Sequence, residues 1–151
     1  MADPTIEAAR VTFDDSLGEL RAVVAGSTAA ELDRRPGADD TNSIAVLTVH
    51  ALSSARWWLS LAVGAPPPER DRASEFLAVT TSTDDLLSFV DEMAEDCRSL
   101  LDAGGSFEPA AVCVNGSEEV TAIWALIHAL EHLREHVGHA QLTSQLFLRH
   151  G

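Results

Sequence analysis

The sequence predicts an all-α protein, a four-helix bundle with one long crossover connection. Four long segments carry apolar residues at helical spacing, Gly- and Pro-rich breaks separate them, and the composition suits close-packed helices. Of 151 residues, 46% are hydrophobic and 5% aromatic, none is tyrosine, and 23 are alanine, the strongest helix former. That is enough apolar material for a core, and the length fits one helical domain over residues 1–151.

The first helix is expected from about Pro4 to Ala25. Counted from Ile6, the residues Ala9, Phe13, Leu17, Leu20 and Val24 lie at offsets 3, 7, 11, 14 and 18, one amphipathic stripe. Asp3 can cap it, and Pro4 stands in the first turn, where its missing N–H does no harm. Residues 27–40 read as a connector. Its opening Ser27-Thr28 followed by Glu31 resembles a capping box for one short helical turn, which Arg35-Pro36-Gly37 stops.

Thr41-Asn42-Ser43 offers caps for the second helix, which ends at Gly64 before Pro66-Pro67-Pro68. Residues 66–82 read as loop with a turn around 75–79, long enough for a crossover or a flap over a site. Thr83-Asp84-Asp85 opens the third helix, whose stripe is Leu86, Phe89, Val90, Met93, Cys97 and Leu100, and Gly104-Gly105 closes it. Residues 110–114 are apolar and β-prone but too short to found a sheet. Asn115-Gly116-Ser117 then reads as turn and cap for the longest helix, residues 118 to about 149.

Charge narrows the function. All ten basic residues are arginine against 24 Asp and Glu, a net charge of −14, which repels phosphate backbones and anionic lipid. Neither nucleic acid nor a membrane is an expected partner. No basic N-terminal segment precedes an apolar run, and no apolar stretch reaches membrane-spanning length, so a cytoplasmic location is expected. Cys97 and Cys113 do not make a disulfide scaffold, and both read as structural. Phosphate loops and nucleophile elbows are absent from the sequence.

The chemistry concentrates in histidine. His128, His132, His136 and His139 fall within twelve residues of the last helix, while His50 and His150 lie apart. At about 100° per residue, His132 and His136 lie roughly 40° and 80° from His128, entering an apolar arc that includes Ala125, Ala129 and Leu133. His128 and His139 fall on its border and read as solvated or supporting residues; His150 reads as irrelevant. His50 shares a stripe with Val46, Leu47, Trp57 and Leu61, so it is expected in the core. A buried imidazole needs partners for its nitrogens, and a divalent metal satisfies one of them. His50 with an inward His132-x-x-x-His136 pair can supply three nitrogen ligands. Each feature also has an ordinary reading: a hydrogen-bonded core histidine, and a chance helical spacing.

These residues resemble the DinB-like (DinB/YfiT) superfamily of metal-binding four-helix bundles, in the form of thiol S-transferases and the N-terminal domain of maleylpyruvate-isomerase-like proteins. Asn42-Ser43-Ile44 through Leu47 to His50 and Trp57 is similar to the family's second helix. His132-x-x-x-His136-x-x-His139 is similar to its H-x-x-x-H-x-G-Q signature, with His139 where glutamine is usual. Glu31-Leu32 through Arg35-Pro36 is similar to the stretch before that second helix. The resemblance covers about residues 5–148. It implies His50, His132 and His136 as ligands of a divalent metal, zinc or nickel. It further implies a low-molecular-weight thiol, mycothiol or bacillithiol, as cofactor, and a small-molecule electrophile as its partner.

The leading expectation is therefore a metal-dependent thiol S-transferase. A hydrolase or isomerase on the same site and a non-catalytic metal- or ligand-binding bundle are the alternatives. Arg56, six residues past His50, reads either as a contact for a cofactor or substrate carboxylate or as a surface salt-bridge partner. Glu135 reads as a solvated acid rather than a general base. Trp57 and Trp58 divide between core and pocket wall. Phe147 and Leu148 either close the core or support a homodimer.

Overall fold

The computed structural model describes residues 3–148. Its long helices are α1 (Pro4–Ala25), α3 (Ile44–Ala62), α5 (Thr83–Ala103) and α6 (Ala122–Leu148), with short helices α2 (Ala29–Asp33) and α4 (Arg72–Glu75) in the connections. The long helices pack in the cyclic order α1, α6, α3, α5, with α3 against α6 the most extensive contact. The fold is an all-α four-helix bundle, and residues 64–71 and 76–82 flank α4 in the long connection from α3 to α5. His150 and the expected helix end near residue 149 lie outside the described residues.

Local chemistry sets the helix ends. The Asp3 carboxylate accepts from the Thr5 and Ile6 amides, Thr28 and Glu31 form a capping box, and Ser43 Oγ accepts from Val46 N at 3.1 Å. Ser82 caps α5 by accepting from Asp85 N. The anticipated stripe of α1 is buried throughout, with Phe13 and Leu20 wholly enclosed. α3 has little polar face: 15 of its 19 residues are buried, so its polar side chains Thr48, His50 and Ser54 lie inside the protein.

Two elements differ from expectation. The apolar segment at 110–114 does form a strand, β1 (Val112–Asn115), paired antiparallel with β2 (Glu118–Thr121). The last helix accordingly begins at Ala122 rather than at residue 118. A two-residue loop makes this possible: Gly116 has φ +62° and Ser117 does not have positive φ, the pattern of a type II′ hairpin turn. Cross-strand partners Cys113 and Val120 both pack against the core, while Val112 and Val114 face outward. Core contact thus supplies the free energy that five isolated residues lack. In the long connection, the helical turn lies at Arg72–Glu75, where Asp71 caps the Ala73 and Ser74 amides, slightly earlier than expected.

Gly116→Ala is expected to lower stability by about 1–2 kcal/mol in urea denaturation, because an L-residue there must take the left-handed conformation. Space around Gly116 is open, so the loss is conformational. Gly105→Ala, equally open and without positive φ, is the control and stays near wild type.

Candidate metal centre

His50 lies midway along α3 and is 4% exposed. Its Nδ1 stands 2.7 Å from Oε2 of Glu75, itself 5% exposed. Glu75 also accepts two bonds from Arg70, Nε to Oε1 at 2.6 Å and Nη2 to Oε2 at 3.0 Å. A carboxylate clamped by a guanidinium accepts rather than donates, so we assign the proton to Nδ1 of His50. Its Nε2 keeps the lone pair, the arrangement that orients metal-binding histidines.

One turn of α6 separates His132 from His136, and their Nε2 atoms are 3.2 Å apart. Their ring centroids lie 5.0 and 4.9 Å from that of His50. One ligand atom from each of the three histidines falls within 4.8 Å of the other two. Two nitrogens bound to one tetrahedral ion at ~2.0–2.1 Å stand about 3.3 Å apart, so the α6 pair has the spacing such an ion needs. A set of three imidazoles suits zinc, copper, iron or nickel alike. The group could hold a metal ion.

Electrostatics favours the ligand form. Burial first, then the neighbouring His50 and His128, pushes the pKa of His132 down to about 4. Burial first, then His132 and His50, does the same to His136, also to about 4. Near neutral pH both rings are uncharged, the state in which imidazole binds metal. Their Nδ1 atoms are buried without a hydrogen-bond partner among the described residues.

Beside this cluster opens a cavity of about 380 Å³, lined among others by His50, His132, His128, Arg70 and Arg72. Trp57 and Trp58 line it: Trp58 is buried, whereas Trp57 is half-buried and donates from Nε1 to Asn115 Oδ1 at 3.3 Å. A larger concavity of about 630 Å³ lies between residues 61–65, 102–108 and 111–113. Histidine is absent from its lining, so the chemistry assigns the site to the smaller cavity.

The remaining candidates are placed as follows. Arg56 pairs with Asp96 at 3.1 Å and lies outside the lining of the histidine cavity; the arginines at that cavity are Arg70 and Arg72. His128 stacks on Trp124 at 4.7 Å and lines the cavity, whereas His139 is exposed, its ring 5.5 Å from that of His136. Glu135 is exposed. Cys97 is fully buried, and the Cys113 thiol donates to Leu61 O at 3.1 Å. Sequence reasoning missed Glu75, Arg70, Arg72 and Asn115. Beside the turn expected around 75–79, Asp71 as a cap four residues before Glu75 is a local signal that this part of the connection is ordered.

The sequence profile of the DinB superfamily matches residues 12–140. The chain belongs to the DinB superfamily. A crystal structure described as the conserved protein of a locus from Enterococcus faecalis is similar in fold, with a TM-score of 0.76 and 18% sequence identity. The likeness covers 96% of this chain and 98% of that one. A comparison with curated proteins found no match. Among the described residues, no helix is long and apolar enough to cross a membrane.

Two predictions follow from the centre of this DinB-superfamily protein. Because the folded pKa values of His132 and His136 lie near 4 against 6.5 unperturbed, the unfolded chain binds more protons between those values. The stability that neutral rings give is complete above pH 6.5 and is lost as pH falls towards 4. The urea midpoint of metal-free protein should therefore fall between pH 6.5 and 4.5, above the range where the lowered carboxylates such as Glu19 and Asp91 contribute. A His132→Gln/His136→Gln variant should flatten that slope. Separately, Glu75→Gln should weaken metal affinity roughly 10–100-fold in a chelator competition, the usual effect of removing a carboxylate behind a ligating histidine.

Proposed function

We propose that the protein is a metal-dependent S-transferase for a low-molecular-weight thiol of the mycothiol or bacillithiol kind, with His50, His132 and His136 holding a divalent zinc or nickel ion. The observation that carries this reading is the gathering of three ring nitrogens beside a cavity large enough for a small molecule. Three imidazoles leave a coordination position open, as catalytic sites require.

The chain's own thiols are poor nucleophiles. Burial pushes the Cys97 pKa up to about 12, and burial also raises that of Cys113, which faces the larger concavity. The nucleophilic sulfur therefore has to arrive from solution. A bound divalent ion stabilises a thiolate over its thiol. In the transfer, the thiol sulfur forms a bond to the electrophile's carbon, the leaving group departs with its electron pair, and the thiol proton passes to solvent.

The chain's residues prepare this chemistry. Glu75 Oε2 holds the proton on His50 Nδ1, and Arg70 holds Glu75. Trp57 and Trp58 wall the cavity and limit water around the reacting sulfur. A cytoplasmic location, where small thiols stay reduced, and a homodimer belong to the same proposal.

The test is elemental analysis of tag-free protein, combined with conjugation of a small thiol to a generic electrophile with and without chelator. One ion per chain and chelator-sensitive conjugation are expected. His50→Ala should lose the ion while keeping its helical circular dichroism; unchanged metal stoichiometry would refute the ligand set. Bound metal without conjugation would leave a binding bundle rather than a transferase.

A further inference from the structure

We propose that the cavity beside His50 and His132 is a subsite for a small organic anion, a carboxylate or phosphate carried on a flat apolar body. Which reactant carries the anion rests on the transferase reading above; the subsite itself rests on the lining. The sequence holds 24 Asp and Glu, yet not one of them lines this cavity. Its only charged lining groups are the guanidinium groups of Arg70 and Arg72, set beside the Asn115 amide, Ser54 and three histidines. The larger concavity is the reverse, lined by Asp102 and Glu108 with no basic residue.

Arg72 is the decisive group. Arg10, Arg21, Arg56, Arg70, Arg98 and Arg134 each pair with a carboxylate. Arg34, over Phe147, and Arg35, on the Asp39 and Thr41 carbonyls, also lack a carboxylate partner among the described residues, but of the three only Arg72 lines this cavity, its guanidinium over the Phe76 ring, 5.3 Å from the centroid. Phe76 in turn packs on His50, with centroids 4.7 Å apart, so the free cation is indexed to the histidine cluster. Two carboxylates touch residues of the lining. Glu75 is neutralised by Arg70, and Glu131, with its side chain 70% exposed, is 3.8 Å from His128 Nδ1. Arg72 is exposed, and a cation without a carboxylate partner at this cavity of a −14 protein gives it positive potential.

The rest of the lining describes the remainder of the ligand. Trp57 donates to Asn115 Oδ1, which fixes the amide while its NH₂ has no partner among the described residues. The tryptophan rings offer apolar walls for a flat body, and about 380 Å³ admits a small molecule.

Calorimetric titration with benzoate, phenyl phosphate and benzylamine tests the subsite, on protein as purified and after chelation. Both anions should bind more tightly than benzylamine by tenfold or more, and the tighter anion identifies the headgroup. Arg72→Ala should weaken the anions about tenfold with metal content unchanged, the loss expected for one charge-assisted contact, and Arg72→Lys should recover part of it. Benzylamine binding as well as benzoate, an Arg72→Ala variant indistinguishable from wild type, or no saturable binding of either anion would each overturn the proposal. Because Arg72 is read by binding in both metal states, Arg72-dependent anion binding without conjugation would sink the transferase alone. Conjugation without that dependence would sink the subsite alone.

Discussion

The hydrogen bond between His50 and Glu75 joins two regions that otherwise have no reason to meet. Both side chains are at most 5% exposed, and a buried carboxylate without partners is far costlier than a buried methyl group. Glu75 is tolerable because Arg70 and His50 together engage both of its oxygens. His50 is tolerable because Glu75 takes its Nδ1 proton. Neither helix-forming tendency nor apolar burial would hold the four-residue helix α4 in place, since its exposed residues offer little to pack. The polar triad docks the long connection on the bundle, and Phe76 adds the adjoining aromatic contact with His50. The same bond fixes which nitrogen of His50 faces the other histidines. Loss of the carboxylate therefore acts on fold and site together, through one proton.

Much of this architecture was legible because local pattern and tertiary outcome agreed. The α1 stripe, the caps at Asp3 and Ser43, and the inward faces of His50, His132 and His136 all follow from helical periodicity, and the bundle preserves it. The misreadings share one cause, which is stabilisation from distant residues. The hairpin depends on Cys113 and Val120 reaching a core built by other helices. The connection reads in sequence only as loop with a turn around 75–79, with no role for Glu75; Arg70 and His50, placed around it by the fold, make it a buried acid. Arg56 illustrates the converse, for its position after His50 allows either a site contact or a surface salt bridge, and its pairing with Asp96 on α5 is the latter.

Charge organises the surface in a way that composition alone conceals. With more than two acids for every arginine, pairing consumes arginines, and six of them are engaged by carboxylates. Most of these pairs are exposed and contribute little to stability individually. Their collective effect is to leave positive potential at few places. A cavity lined by arginine and imidazole, without a carboxylate, stands out against that background for the same reason that an exposed arginine would be unremarked on a basic protein.

The two buried Nδ1 atoms of His132 and His136 remain the arrangement least explained by folding. A leucine at either position would carry no unpaired polar atom and would avoid the loss of stability in acid. Natural sequences break such local rules where function is served and compensate elsewhere. A cation held by their Nε2 atoms would leave these Nδ1 atoms unpaired but offset their cost, because whatever binds the folded chain and not the unfolded one adds RT ln(1 + [L]/Kd) to stability. On this view the imidazole cluster is destabilising as bare polar groups in a core and stabilising as a chelate. The fold brings it together across α3 and α6, the pair with the most extensive contact.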